Sequence, residues 1–211
     1  MIKAVISDFG GVLTTSIEQA IVRYFESSKI PLEDLGHALG AASALQGANV
    51  LFEMECGRLS EADFLTALGG ALAARLGRPV DLSRFPEELF AGMAPNEQLI
   101  AYMRTLRARD YRMAICTNNV REWSARWQAM LPMAEIFEVV VDSSAVGARK
   151  PDPEIYQAVL RELGVDAAEA LFIDDLEINC AAARQFGMRA VWFQDTEQAM
   201  AEIEAALDGH P

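Results

Sequence analysis

KAVISDFGGVLTT, residues 3–15, reads as a short apolar strand over 3–7 that runs straight into an aspartate and a glycine pair. The run is continuous, not alternating, as in a strand buried on both faces, and it is too short for a helix. Asp8 stands at its carboxyl end, and Gly10 and Gly11 let the backbone turn sharply and approach a ligand closely. The same grammar recurs downstream. Residues 112–116, 138–141, 171–173 and 189–193 are further short apolar runs followed by turn residues. Helix-period segments separate them. Residues 97–109 place Leu99, Met103 and Leu106 on one side, and residues 153–163 do the same with Ile155, Val159 and Leu163. Asp166 and Glu169 have capping-box spacing ahead of a short turn. Strands alternating with helices predict an α/β, doubly wound parallel sheet.

Residues 16–94 are different. They contain few β-branched runs and are rich in Ala, Leu and Glu, with Pro31, Gly57, Pro79 and Pro86 as punctuation. Ser60 and Asp63 cap a predicted helix carrying Phe64, Leu68, Leu72 and Leu76 at four-residue spacing. The expected organisation is a core of residues 1–15 and 95–211, with a small helical cap insert, 16–94, over the carboxyl ends of the strands, where open α/β sheets bind ligands. Within the insert, Phe52 and Phe64 are expected in its core in preference to a substrate wall, and Glu53, Glu55 and Arg58 either face the substrate or, as the commoner case, are exposed helix charges. Trp123 and Trp127 have the spacing of a packed helix face, or of an oligomer contact.

The formal charge of the 211 residues is −13, and 52% are hydrophobic. There is enough apolar material for a core. The negative field repels nucleic acid and anionic membrane surfaces, so neither is an expected partner. Cys56, Cys116 and Cys180 are odd in number and lack metal-finger or redox spacing, so they read as buried small hydrophobes in a reducing compartment. Residues 1–7 read as a strand and not a signal peptide, no apolar stretch reaches membrane-spanning length, and the expected location is cytoplasmic. His37 and His210 have no ligand partner at useful spacing.

Four segments carry chemistry: SDFGGVLTT with Asp8, ICTNN with Thr117 and Asn118, ARKPDPEIY with Lys150, and FIDDLEIN with Asp174 and Asp175. In a parallel sheet all four converge on one edge. Three carboxylates in one cleft require positive charge. Lys150 supplies part, and an all-oxygen donor set suits Mg²⁺, which binds through one or two carboxylates plus a phosphate. Thr117 and nearby backbone N–H groups can hold phosphate oxygens. Asn179 either faces the acids or caps its helix.

In this order, SDFGGVLT, ICTNN, ARKPDPEIY and FIDDLEINCAAARQFGM resemble the four motifs of the haloacid dehalogenase-like hydrolases, over nearly the whole chain. The LFEMECGRLSEADFL stretch is similar to caps of the glucose-1-phosphate-phosphatase-like and epoxide-hydrolase N-terminal branches. The resemblance implies a Mg²⁺-dependent phosphatase acting on a small phosphorylated metabolite, as a monomer or homodimer. Asp8 would be the nucleophile. Asp8, the Gly10 carbonyl, Asp174 and Asp175 would hold Mg²⁺. Thr117, Asn118, Gly11 and Lys150 would bind substrate, with Lys150 also in the catalytic set.

One position departs from the pattern. Phosphatases of this family place a second aspartate two residues after the nucleophile, as general acid and base; here it is Gly10. Four readings follow. The enzyme is slow; or the substrate has a good leaving group, such as a sugar 1-phosphate or acyl phosphate; or the fold has become a non-catalytic, regulatory protein; or the chemistry is haloacid dehalogenation, which has no oxygen leaving group to protonate. The tandem acids Asp174–Asp175, which dehalogenases of the family lack, favour phosphoryl chemistry.

Overall fold

The computed structural model describes residues 1–209, and His210 lies outside the described residues. Five parallel strands form one sheet in the order β3-β2-β1-β4-β5. They are β1 Ala4–Ser7, β2 Arg112–Thr117, β3 Val139–Asp142, β4 Ala170–Asp174 and β5 Arg189–Trp192. Every expected strand is present, with ends moved by about one residue. Five helices follow β1: α1 Ile17–Ser27, α2 Leu32–Gln46, α3 Val50–Glu55, α4 Glu61–Leu76 and α5 Phe85–Ala91. Then come α6 Glu97–Ala108 before β2, the short α7 Ser124–Gln128 and α8 Met133–Ile136 before β3, and α9 Ser143–Val146 with α10 Pro153–Leu163 before β4. α11 Glu177–Phe186 precedes β5, and α12 Thr196–Leu207 follows it.

Strand side chains alternate between two apolar layers, as the pleat requires. Val5, Met113, Ile115, Leu171 and Ile173 face the layer that holds Leu99, Met103 and Leu106 of α6 and Ile203 of α12. Ala4, Ile6, Ala114, Cys116 and Phe172 face Ile155, Val159 and Leu163 of α10 and Ala183 of α11. Helices on both faces make the fold doubly wound, as the alternation of strands and helices predicted. From β1 the chain builds outward to β2 and β3, then returns to place β4 on the other side of β1. The tip of β1 is therefore the topological switch point, where open α/β sheets take their ligands. Asp8 is the first residue beyond it.

Local sequence explains the element ends. Ser60 Oγ accepts from the Asp63 N–H, Phe64, Leu68 and Leu72 are buried along α4, and Gly77 closes that helix in the left-handed region. The Asp166–Glu169 capping box forms around a single 3₁₀ turn before β4. All three cysteines are free and buried. Trp123 and Trp127 are both buried, and the Trp127 ring packs on Phe9, with centroids 4.9 Å apart. That pair is internal packing and not an oligomer contact.

The chain leaves and re-enters the sheet layer side by side. Thr14 pairs antiparallel with Pro95, the Thr15 N–H donates to the Ala94 carbonyl at 2.8 Å, and the Asn96 N–H donates to the Leu13 carbonyl at 2.8 Å. α1 to α5 lie between these two crossings. Among the described residues no helix is long and apolar enough to cross a membrane.

Candidate active site

The register brings the strand tips level, because Ser7 stands opposite both Ile115 of β2 and Ile173 of β4. Asp8 and the Asp174–Asp175 pair therefore meet, and ligand oxygens of the three lie within 4.8 Å of one another. Lys150 comes in from the loop before α10. Its ammonium is 2.7 Å from Asp8 Oδ1 and 2.7 Å from Asp174 Oδ2, and the side chain is 2% exposed. Three carboxylates against one ammonium leave two negative charges in a buried cleft. Burial pushes the Asp8 carboxyl up to about 7, against the pull of Lys150. Burial and then the charge of Asp174 push Asp175 up to about 6. Burial alone would pull Lys150 down, but Asp174 and Asp8 outweigh it and hold the lysine protonated.

The three acids are not equivalent. Asp174 is fully engaged: Oδ2 accepts from Lys150, and Oδ1 accepts from Asn179 Nδ2 and from the Leu176 N–H, both at 2.9 Å. Asp8 Oδ1 also accepts from the Phe9 N–H at 2.7 Å. Asp175, half-buried, has no ion pair among the described residues. An unpaired carboxylate beside two others is the donor set a hard divalent cation requires. The residues fit Mg²⁺.

Several neighbours act on backbone and not on the cavity. The Asn118 side chain is spent on the Lys150 loop, donating to the Lys150 carbonyl at 3.0 Å and accepting from the Lys150 N–H at 2.7 Å. That side chain therefore fixes the backbone of the Lys150 loop. Gly11 does not offer its amide, which donates to the Thr14 carbonyl at 3.1 Å. Its φ is +85°, and a Cβ there would collide with the Asp175 carboxylate. Glycine at 11 makes room for the acid. Thr117 is buried, lines the cavity, and its hydroxyl has no partner among the described residues. Asn179 faces the acids, which resolves the alternative left open for it. At Gly10 a Cβ would sit 3.1 Å from Ile17 Cδ1 and Cγ1, so an apolar side chain fills the place of an acid.

The cluster opens into a cavity of about 270 Å³ that continues upward between α1, α2, α4 and α5. Two neighbouring side chains stand elsewhere than in a helical core or on an exposed helix face. Phe52 is not in a helical core: it is 41% exposed, and the Arg149 guanidinium lies 3.9 Å above its ring. Glu55 is not an exposed helix charge: it lines the cavity, with Arg149 Nε 2.6 Å from its Oε2. Burial pushes the Glu55 carboxyl up despite this partner. Glu53 and Arg58 do pair near the surface, as anticipated, and Phe64 is buried. The sequence carries no signal for Arg149 beyond its adjacency to Lys150.

A solved structure with this fold is the HAD family enzyme BT-2542 of Bacteroides thetaiotaomicron in complex with magnesium and inorganic phosphate, with TM-score 0.64 and 23% identity over 90% of this chain and 93% of that one. In sequence, phosphatase MT3486 of Mycobacterium tuberculosis is 31% identical over 99% of this chain and 98% of its own length. Acyl-CoA dehydrogenase family member 10 of Mus musculus is 29% identical over 97% of this chain, but this chain spans only 19% of that protein. The haloacid dehalogenase-like hydrolase family model matches residues 2–187, and the chain belongs to that family.

Proposed function

We propose that this chain is a Mg²⁺-dependent phosphatase that acts on a small phosphorylated metabolite through an aspartyl-phosphate on Asp8. The observation that carries the reading is the meeting of Asp8, Asp174 and Asp175 within 4.8 Å around one buried ammonium. A non-catalytic relic has no use for so costly a charge cluster. The nearly full-length likeness to a named phosphatase supports the same conclusion. Asp8, the Gly10 carbonyl and Asp175 would hold Mg²⁺, with Asp174 placing Lys150 and reaching the ion directly or through water. When bound, the ion supplies charge neutralisation and orientation of the phosphoryl group.

The chain's own groups do the rest. Asp8 attacks phosphorus, so that one hard displacement becomes two easier ones. Lys150, the Thr117 hydroxyl and the Asn118 N–H receive the charge on the phosphoryl oxygens. The helices of residues 16–94 act as a cap that excludes water and reads the leaving group. Because Gly10 supplies no proton, the leaving oxygen must be a weak base. The test is phosphate release from acetyl phosphate and nitrophenyl phosphate, with and without Mg²⁺. Mg²⁺-dependent release is expected, with Asp8→Asn at least about 10³-fold slower and forming no phosphoenzyme. Fully active Asp8→Asn, or chelator-insensitive chloride release from a haloacid with no phosphate release, would overturn the reading.

A further inference from the structure

The phosphoryl site and the helical cavity are one continuous space, and the two ends are chemically opposite. On the helical side the walls are Phe25, Leu39, Met54, Phe64, Leu68 and Phe85. The polar side chains there are few and mostly engaged. Ser16 accepts from the Glu18 N–H, and Glu55 is paired with Arg149. Glu18, the Ser16 hydroxyl proton and the Asn119 amide are what is left to meet a hydroxyl. A sugar in this space would lose water from several hydroxyls and find partners for only some of them. An apolar group would lose nothing and gain burial. Size agrees: the 270 Å³ includes the phosphoryl site, and what remains beside a phosphoryl group has room for an apolar body of roughly six carbons, each taking close to the roughly 30 Å³ share of one water in the liquid.

We infer that the substrate is an apolar organic phosphate, of acyl or aryl type, whose hydrocarbon body fills the cavity between α1, α2, α4 and α5. The inference rests on the phosphatase reading for its phosphoryl half and on the cavity walls for its apolar half. Gly10 joins the halves. An alkoxide leaves poorly without a proton, whereas a carboxylate or phenolate leaves as a stable anion. The Asp8 oxygen bonds to phosphorus, the bond from phosphorus to the leaving oxygen breaks, and its electron pair departs with the carboxylate or phenolate. Water then attacks phosphorus, the Asp8 carboxylate is restored, and both protons of the water leave on inorganic phosphate. No other reactant is needed.

The test compares three homologous series on the wild-type protein with Mg²⁺: acyl phosphates from acetyl to decanoyl, 4-alkylphenyl phosphates, and n-alkyl phosphates. In the acyl series, the aryl series or both, kcat/KM should rise up to about fourfold per methylene and level off near the cavity's capacity. The alkyl phosphates should bind with the same chain-length trend but turn over slowly. Leu39→Trp, on the half-buried face of α2, should move the plateau to shorter chains. A flat or falling trend alongside hydrolysis of acetyl phosphate would overturn the apolar subsite and leave the phosphatase reading standing. Fast turnover of long alkyl phosphates would overturn the leaving-group half. Chain-dependent binding of the alkyl phosphates with no hydrolysis in any series, and no phosphoenzyme, would remove the phosphatase reading and support the cavity assignment alone.

Discussion

At the tips of β1, β2 and β4, polar side chains converge and hold one another: Lys150 joins Asp8 to Asp174, Asn179 braces Asp174, and Asn118 braces the Lys150 backbone. Above them, α1, α2, α4 and α5 surround space walled mainly by Phe, Leu and Met side chains. The lower region is expensive in free energy and precise in geometry. The upper one is cheap and defined by shape. A site built this way fixes the reacting atoms with charge and selects the molecule with burial, so the two properties can be perturbed separately.

The lower region breaks most severely at its one cation. Lys150→Met keeps the volume and removes the charge, leaving two buried carboxylates face to face. We expect a loss of about 3–5 kcal/mol in stability, read as a fall in unfolding midpoint without divalent ion. Mg²⁺ should restore part of it by binding the folded state alone. A variant as stable as the parent, or one indifferent to Mg²⁺, would show that charge does not organise the strand tips.

The same contrast governs what could be read from the chain. Asp8, Lys150, Asp174 and Asp175 were legible because a parallel sheet has one carboxyl edge, and a residue following a short apolar run has nowhere else to go. That is one-dimensional information. Gly11 was legible as special but not in its role, because the collision it avoids involves Asp175, 164 positions away. Phe52 departs from its expected place, and Glu55 takes the less common of its two, because a six-residue helix has no periodicity strong enough to orient it. α3 is placed by its neighbours: Ser143 Oγ donates to the Glu55 carbonyl at 2.6 Å, and Arg149 covers Phe52. The cavity itself could not be read at all, since the apolar faces of α1, α2 and α4 look identical whether they enclose a hollow or fill one.

The boundary between the regions runs through Gly10, and a second experiment sharpens it. Gly10→Asp by itself should gain little, because the new Cβ meets Ile17 at 3.1 Å. Gly10→Asp with Ile17→Ala opens that space and puts an acid beside the leaving oxygen. General acid help is worth about 10²–10⁴ when well placed; in an unevolved position about 10-fold is expected, and only for alkyl phosphates, whose leaving group needs the proton. An equal gain for acyl phosphates would mean that proton supply is not what Gly10 lacks.

The smallest effect is expected at the contact between the regions. Arg149 and Glu55 form a short ion pair with side chains only 18% and 16% exposed, which looks like a clamp holding α3 to the Lys150 loop. The Glu55 carboxyl argues otherwise. Burial raises it above its ordinary value of 4.5 in spite of Arg149 and Lys150, so the folded state holds the proton more tightly than the unfolded chain does. Stability then falls as pH rises through 4.5 toward the folded value and stays constant beyond it. Glu55→Gln removes that loss and also removes the ion pair. We therefore expect unfolding free energies that differ by less than about 1 kcal/mol at pH 7, with a flatter profile for the variant above pH 4.5. Denaturant titration across pH 4 to 8 decides it. A variant weaker by several kcal/mol at pH 7 would make the pair a true clamp, and the apolar cavity would then owe its shape to charge after all.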